Sequence, residues 1–262
     1  MNKIEQAFLH EKAFIPYITG GDPDIETSEK LLYALHNAGA NIIEIGVPFS
    51  DPIAEGPVIE QANQRALKAG CTVDWLFELV ERVRAKIDVP IVFMTYYNPV
   101  FVYGNNKFAK HCAECGVDGL IIPDLPFEER DELYEQCNQN EITLISLIAP
   151  TSKSRIARIA SASSGFLYCV SSLGVTGERH QFDDSAKLMI EQVRNVSSIP
   201  CCVGFGISTA EQARQVANYA DGVIIGSSFV KVIAKYGRDS VDEIWRLGRK
   251  IRQAINENKI QK

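Results

Sequence analysis

"NIIEIGVP", residues 41–48, has the composition of a strand that is buried on both of its faces. Its apolar residues run almost continuously, which is typical of parallel strands covered by helices on both sides of a sheet. Just before it, "TSEKLLYALHNAG" (27–39) spaces apolar residues three and four positions apart and closes on a glycine, as an amphipathic helix does. Together the two segments predict one helix–strand repeat of an α/β fold.

The same alternation of apolar runs and helical patterns continues towards both ends of the chain. An additional helical pattern at 72–87 predicts an insertion after the helix that follows the second strand. The predicted strands are 13–19, 41–48, 90–97, 119–125, 142–150, 166–171, 200–207 and 221–228. Eight such units favour a single-domain (β/α)8 TIM barrel with extra helices over residues 1–262. An open doubly wound sheet, which also uses parallel strands, is the alternative.

Charge and composition narrow the class of partner. The formal net charge is -6 and no Lys/Arg run stands out, so neither nucleic acid nor an anionic membrane surface is an expected partner. No apolar run reaches the roughly 20 residues that span a bilayer, and the first residues lack the apolar core of a signal peptide. Seven scattered cysteines fit small buried side chains in a reducing compartment. The sequence therefore predicts a cytoplasmic protein.

A Cys-x-x-Cys pair, Cys112 and Cys115, raises the alternative of a zinc or redox site. Zinc would need further ligands at motif spacing, and the sequence offers none. The four histidines, at 10, 36, 111 and 180, fall at no predicted strand end, so a metal site and a Ser-His-Asp triad both lack parts. We expect the two cysteines to be ordinary helix residues and predict no metal site.

A carboxylate, Glu44, interrupts the apolar second strand. Because side chains alternate along a strand, Ile43 and Ile45 should pack outward under the helices while Glu44 and Gly46 point into the barrel. Gly46 would leave room above Glu44. Burial should raise the pKa of Glu44, which suits general acid/base work. A structural glutamate held by hydrogen bonds or an ion pair is the alternative.

Glycines mark the ends of the last two predicted strands. "GFGIS" (204–208) and "IIGSSF" (225–229) allow backbone N–H groups to approach an anion closely, and the second segment opens a helical pattern. Barrels frequently bind phosphate with these two loops. The pair predicts a phosphate site, although glycines required only for tight turns are the alternative.

The segment after the sixth predicted strand, "SSLGVTGERHQFDDSAK" (171–187), is long for a loop and contains two glycines. Long loops with glycine hinges are typical of active-site lids. We interpret His180, within it, as a solvated loop residue.

Several segments, in order along nearly the whole chain, resemble the α subunit of tryptophan synthase. They are "PYITGGDP" (16–23), "IEIGVPFSDPIAEGP" (43–57), "MTYYNPVF" (94–101), "PDLP" (123–126), "GVTGER" (174–179), "GFGIS" (204–208) and "GSSFVK" (226–231). The resemblance implies a TIM-barrel lyase that cleaves indole-3-glycerol phosphate to indole and glyceraldehyde 3-phosphate without a cofactor of its own. It also implies a β subunit that carries pyridoxal phosphate and joins this chain in an α2β2 tetramer.

The resemblance also implies roles for individual residues. Glu44 matches the main acid/base, and Glu55 matches the loop acid that binds the indole N–H, where the family commonly has Asp. The "PDLP" loop matches the surface that communicates with the β subunit. Substrate-binding positions matched are Tyr17, Met94, Tyr96, Tyr168 and Thr176, and phosphate ligands matched are Gly177, Gly206, Gly226 and Ser227.

The glutamate in place of Asp leaves other hypotheses open. Glu keeps the charge but adds one methylene, so a non-catalytic subunit that only binds ligand and activates a β subunit is one alternative. A stand-alone lyase that releases indole without a partner is another, and a different phosphate-binding barrel isomerase is a third.

Overall fold

Eight short parallel strands close into a barrel in chain order, and the last strand pairs with the first. The computed structural model describes residues 1–152, 154–170, 185–204 and 206–257. The strands are β1 (Ala13–Thr19), β2 (Ile43–Gly46), β3 (Ile91–Met94), β4 (Gly119–Ile121), β5 (Thr143–Ile148), β6 (Leu167–Val170), β7 (Cys201–Gly204) and β8 (Gly222–Ile225). The predicted closed barrel is confirmed, and the open doubly wound sheet is wrong because β8 hydrogen-bonds to β1.

Helices surround the barrel. Within the described residues they are α1 (Lys3–Gln6), α2 (Ile25–Asn37), α3 (Pro57–Lys68), α4 (Val73–Val83), α5 (Tyr97–Tyr103), α6 (Asn105–Cys115), α7 (Asp131–Gln139), α8 (Ile156–Ser161), α9 (Ser185–Arg194), α10 (Ala210–Ala217), α11 (Ser227–Tyr236) and α12 (Val241–Glu257). Both α3 and α4 lie between β2 and β3, so the predicted insertion is confirmed. The Thr72 hydroxyl caps α4 by accepting from the Trp75 N–H.

Apolar side chains form two layers separated by the strands. Ile43 and Ile45 lie in the outer layer between strands and helices, whereas Ile42 lies in the inner layer that fills the barrel. This is the alternation predicted for β2. At the N-terminal end of the barrel, α1 contributes Ile4 to the inner layer, and the ring of Phe8 packs 5.8 Å from that of Phe166. This end is therefore closed by apolar packing, which leaves the C-terminal end for chemistry.

Several observed strands are shorter than predicted. Residues 119–125 contain a strand over Gly119–Ile121 only, and Pro123, which has no N–H to donate, follows two residues later. Likewise, the second strand ends at Gly46, two residues before Pro48. Apolar composition continues past the ends of these strands, so it could not mark where hydrogen bonding stops.

None of the helices in the described part of the chain has both the length and the apolar character needed to cross a membrane.

Candidate active site

A cavity opens at the C-terminal end of the barrel and is lined by residues from six strands or the segments that follow them. Its polar lining includes two carboxylates, Glu44 and Glu55, and its apolar lining includes Met94 and Ile59. The remaining lining residues are Tyr17, Ala54, Tyr168, Gly206, Ile207, Ile224, Gly226 and Ser227. Most of the substrate and phosphate positions predicted from the sequence are thus brought together at one place.

Glu44 lies at the bottom of this cavity, on β2. It pairs in register with Tyr17 of β1 and Val92 of β3, and it is 1% exposed. Its Oε2 atom is buried and makes no hydrogen bond to any described residue. Burial, followed by the negative charge of Glu55, raises the pKa of Glu44 to about 8. A structural glutamate would have its oxygens paired, so this carboxyl is available to a ligand.

Glu55 lies on the loop between β2 and α3 and faces the same cavity. Asn63 of α3 donates a hydrogen bond from Nδ2 to Glu55 Oε2 over 2.8 Å. Burial raises the pKa of Glu55 to about 7, the Asn63 bond opposes that rise, and the charge of Glu60 adds to it. The two catalytic candidates therefore have different surroundings: Glu44 has an unpaired oxygen, whereas Glu55 is held by an amide.

Sequence reasoning missed Asn63. It is 2% exposed and shares the buried face of α3 with Ile59, Ala62 and Ala66. A polar residue within that i, i+3, i+4 apolar stripe was the available signal, because buried polar side chains are kept only where they are hydrogen-bonded.

Tyr17 occupies the space that Gly46 was predicted to leave open. A Cβ atom placed on Gly46 would lie 2.1 Å from Tyr17 Oη, so the missing side chain accommodates the tyrosine ring. The Tyr17 hydroxyl lies 3.2 Å from Thr19 Oγ1. The prediction of empty room above Glu44 is therefore wrong, because a neighbouring strand supplies a ring to fill it.

Tyr168 of β6 has the same relationship to a glycine. A Cβ on Gly204 would lie 2.4 Å from the Tyr168 hydroxyl oxygen. Burial and the charge of Glu44 raise the pKa of Tyr168 well above its usual value, so it stays a neutral phenol. Tyr17 and Tyr168 thus line the same cavity as Glu44.

Tyr96 holds the loop that carries Glu55. Its hydroxyl accepts a hydrogen bond from the Ala54 N–H over 2.9 Å, and its ring packs 5.4 Å from Phe49. Tyr96 is 3% exposed and is not among the residues that line the cavity. Tyr96 therefore contacts the loop that carries Glu55 without lining the cavity itself.

Glycines and the start of a helix also line the cavity. Helix α11 begins at Ser227, with Gly226 as its N-terminal cap, and both residues line the cavity. Gly206, with φ of +80°, lines it from the loop after β7. The first N–H groups of a helix have no partner within the helix and favour an anion. Thr176, Gly177 and His180, which the sequence placed in a lid, lie outside the described residues.

The Cys-x-x-Cys pair lies away from this cavity. Cys112 and Cys115 are buried, free cysteines on α6, as predicted. Over residues 1–152, 154–170, 185–204 and 206–257, no group of three His, Cys, Asp or Glu side chains is arranged to hold a metal ion.

Comparison with known proteins points to one family. The model of a family described as tryptophan synthase alpha chain matches residues 5–258. A tryptophan synthase alpha chain from Lacticaseibacillus casei is 46% identical over 259 residues, covering 99% of this chain and 97% of its own. One from Alkaliphilus metalliredigens is 47% identical over 248 residues, covering 94% and 93%.

Comparison with solved structures points to the same family. Tryptophan synthase subunit alpha from Legionella pneumophila superposes with a TM-score of 0.90 at 36% identity, over 98% of this chain and 99% of that one. A chain of Mycobacterium tuberculosis tryptophan synthase superposes with a TM-score of 0.90 at 35% identity, over 97% and 98%.

Proposed function

The chain belongs to the tryptophan synthase alpha chain family, and we propose that the buried Glu44 and the half-buried Glu55 carry out the reaction of that family. It is a carbon–carbon lyase of tryptophan biosynthesis, which cleaves indole-3-glycerol phosphate to indole and glyceraldehyde 3-phosphate. The assignment of individual residues to this retro-aldol reaction is our proposal, and it rests on the geometry of the cavity.

Glu44 moves the protons. In its protonated form it donates to C3 of the indole ring, and the resulting carboxylate then removes the proton from the hydroxyl on the adjacent glycerol carbon. The bond between that carbon and indole C3 breaks, an aldehyde forms, and Glu44 ends protonated again. A pKa raised to about 8 suits both steps, because the group is protonated at neutral pH and becomes a competent base once it has donated.

Glu55 stabilises the charge that develops during the reaction. Protonation at C3 makes the indole nitrogen cationic, and a carboxylate beside the N–H favours that state. The resting site therefore needs a protonated Glu44 and an ionised Glu55. The lower pKa of Glu55, about 7, supports this division of labour between two carboxyl groups in one cavity.

Backbone N–H groups at Gly206, Gly226 and Ser227 bind the phosphate of the substrate. The support is the start of α11 at the cavity wall, where the helix dipole favours negative charge. Tyr17, Met94 and Tyr168 contact the indole ring, and Tyr96 positions the loop. We assign Thr176 and Gly177 to substrate and phosphate contacts on sequence resemblance alone.

One observation carries the proposed mechanism: the buried Oε2 of Glu44 has no hydrogen-bond partner in the described part of the chain, and Glu55 faces the same cavity. The test is Glu44→Gln, which keeps the shape of the side chain but cannot take a proton. We expect indole release to fall by about 10³-fold or more, with binding of the phosphate ligand glycerol 3-phosphate unchanged. Near-normal turnover by this variant would contradict the role of Glu44.

The chain acts together with a tryptophan synthase beta subunit in an α2β2 tetramer and passes indole to it. The name shared by its relatives supports a beta partner. Large apolar side chains are also exposed after β2 and β3: Ile53 is 76%, Phe101 63% and Val102 77% exposed. Such a concentration on the face that holds the cavity is typical of a protein-binding surface.

The chain itself needs no metal or organic cofactor, because both proton transfers and the charge stabilisation are within the reach of carboxyl groups; pyridoxal phosphate belongs to the beta subunit. We place the protein in the cytoplasm. All seven cysteines are free and buried, which fits a reducing compartment. Neither nucleic acid nor a membrane is a partner in this proposal.

A further inference from the structure

Asn63 is a polar side chain in an apolar, buried environment. Such a side chain lowers the stability of the fold unless its polar atoms are hydrogen-bonded. Its neighbours on the inner face of α3, Ile59 and Ala62, pack against Tyr17 and Val230 in an apolar cluster beside the cavity. The amide Oδ1 of Asn63 is buried and accepts no hydrogen bond from the described residues. Leaving such an atom unpaired costs free energy, so stability alone does not account for an amide at this position.

The hydrogen bond from Asn63 to Glu55 is the contact that gives the amide a function. It runs from Nδ2 to Oε2 over 2.8 Å. The opposite orientation of the amide would set Oδ1 against the carboxylate, and two acceptors would face each other. The amide therefore matches an ionised Glu55 and opposes the protonation that burial favours.

We propose that Asn63 is the positioning residue of Glu55: its amide N–H holds the carboxylate in the cavity and favours its ionised form. The inference deepens the proposed function and rests on Glu55 being the group that binds the indole N–H. The tip of the Glu55 side chain is fixed by a residue on a rigid helix, so its rotatable bonds do not loosen the site.

The anchoring helix is itself well placed for this task. Helix α3 begins at Pro57, two residues after Glu55, so the carboxylate and its anchor share one loop–helix unit. Arg65, two residues after Asn63, forms a two-bond ion pair with the fully buried Asp22 in the loop after β1. The position of Asn63 is thereby tied to the barrel and does not depend on the ligand.

The test compares Asn63→Leu, which has the same shape without the donor, with Asn63→Asp, which replaces the donor with a second carboxyl group. The first readout is an NMR titration of the Glu55 carboxyl in ¹³C-labelled protein. We expect its pKa to rise by about one unit or more in Asn63→Leu and further in Asn63→Asp. Gln64→Leu, an exposed amide on the same helix, is the matched control and should leave the titration unchanged.

The second readout is kcat/KM for indole-3-glycerol phosphate as a function of pH. Asn63→Leu should lower it about 10-fold or more at pH 6.5 and less at pH 8.5, where Glu55 ionises again. In a Glu55→Gln background the same substitution should have no further effect beyond about twofold, because the residue it acts through no longer titrates. Urea unfolding of Asn63→Leu should match the parent protein; if this variant does not fold, Asn63→Ala is measured instead.

An unchanged Glu55 titration in Asn63→Leu, or an equal loss of activity in the Glu55→Gln background, would overturn the inference. If the proposed function itself is wrong, the measurements give a different result. In that case the parent chain releases no indole with or without a beta subunit, while the NMR titration still reports whether Asn63 controls Glu55.

Discussion

At the scale of single residues, the site depends on two carboxyl groups with different surroundings. Glu44 has a buried oxygen with no partner among the described residues, whereas Glu55 accepts from Asn63. Burial is the largest cause of the raised pKa in both, and the charge of Glu55 raises the pKa of Glu44 further. The difference lets one group stay protonated while the other ionises.

The pH dependence of the reaction should therefore be bell-shaped. Below about pH 7 Glu55 is protonated and cannot stabilise the indole cation, and above about pH 8 Glu44 has lost the proton it must donate. We expect kcat/KM to rise through pH 7, peak between the two values and fall above pH 8. Steady-state cleavage measured from pH 5.5 to 9.5 checks this.

Glu55→Gln is the companion variant for that profile, since it should remove the rising limb and keep the falling one. A rate that increases to a plateau beyond pH 9 would contradict the requirement for a protonated Glu44.

The inward position of Glu44 could be predicted from the residues themselves, whereas Glu55 was assigned to the site only through the family resemblance and the Asn63 contact was not predicted. Glu44 stands out because a charge within an apolar strand is rare, and strand alternation gives its direction. Asn63 looks like any polar residue on an amphipathic helix until its burial is known. Tyr17 could be assigned to the pocket, yet its place over Gly46 depends on the pairing of β1 with β2, which is a tertiary feature.

At the scale of elements, strand number and order followed from apolar runs, because each parallel strand is buried on both faces. The ends of strands did not, since apolar composition continues into loops such as the one after β4, which contains Ile122 and Leu125. Helix α3 contributes to the site directly, because Ile59 lines the cavity. It carries Asn63 and is joined to the β1–α2 loop by Arg65 and Asp22.

Breaking that ion pair should destabilise the protein. Asp22 is fully buried, and Arg65 donates to both of its oxygens, over 2.8 Å and 2.7 Å. Arg65→Met leaves a buried carboxylate without its cation, so we expect the free energy of unfolding to fall by about 2–4 kcal/mol. Urea unfolding at pH 7 measures the change.

Arg214→Met serves as the control, because Arg214 pairs with Glu211 on the exposed side of α10 and its loss should leave the unfolding midpoint in place. Equal stability of Arg65→Met and the parent chain would show that the ion pair does not anchor α3.

At the scale of the whole molecule, one end of the barrel is closed and the other is functional. Helix α1 and the Phe8–Phe166 contact lie at the N-terminal end. The C-terminal end carries the cavity and the exposed apolar residues of α5. A partner that docks on this end would cover the mouth of the cavity, which is the arrangement needed to receive indole without releasing it to solvent.

The partner surface can be tested through α5. Phe101→Asp places a charge at an exposed apolar position, and we expect the affinity for a tryptophan synthase beta subunit to fall by about 10- to 100-fold. Calorimetry or analytical ultracentrifugation measures the affinity. Trp245→Asp, at an exposed apolar residue on α12 in the outer helix layer, should bind like the parent chain. Equal losses in both variants would argue against a docking surface at α5.

The closure of β1 against β8 has a consequence for how the protein is made. Residues Ala13–Pro16 find their partners in Gly222–Ile225, which the ribosome adds about 200 residues later. At about 5–20 residues per second, β1 waits roughly 10–40 s with one edge unpaired. Such an edge is a template for pairing with other chains. The nascent protein therefore carries an open strand edge until its last strand emerges, and slower translation of the second half would lengthen that interval.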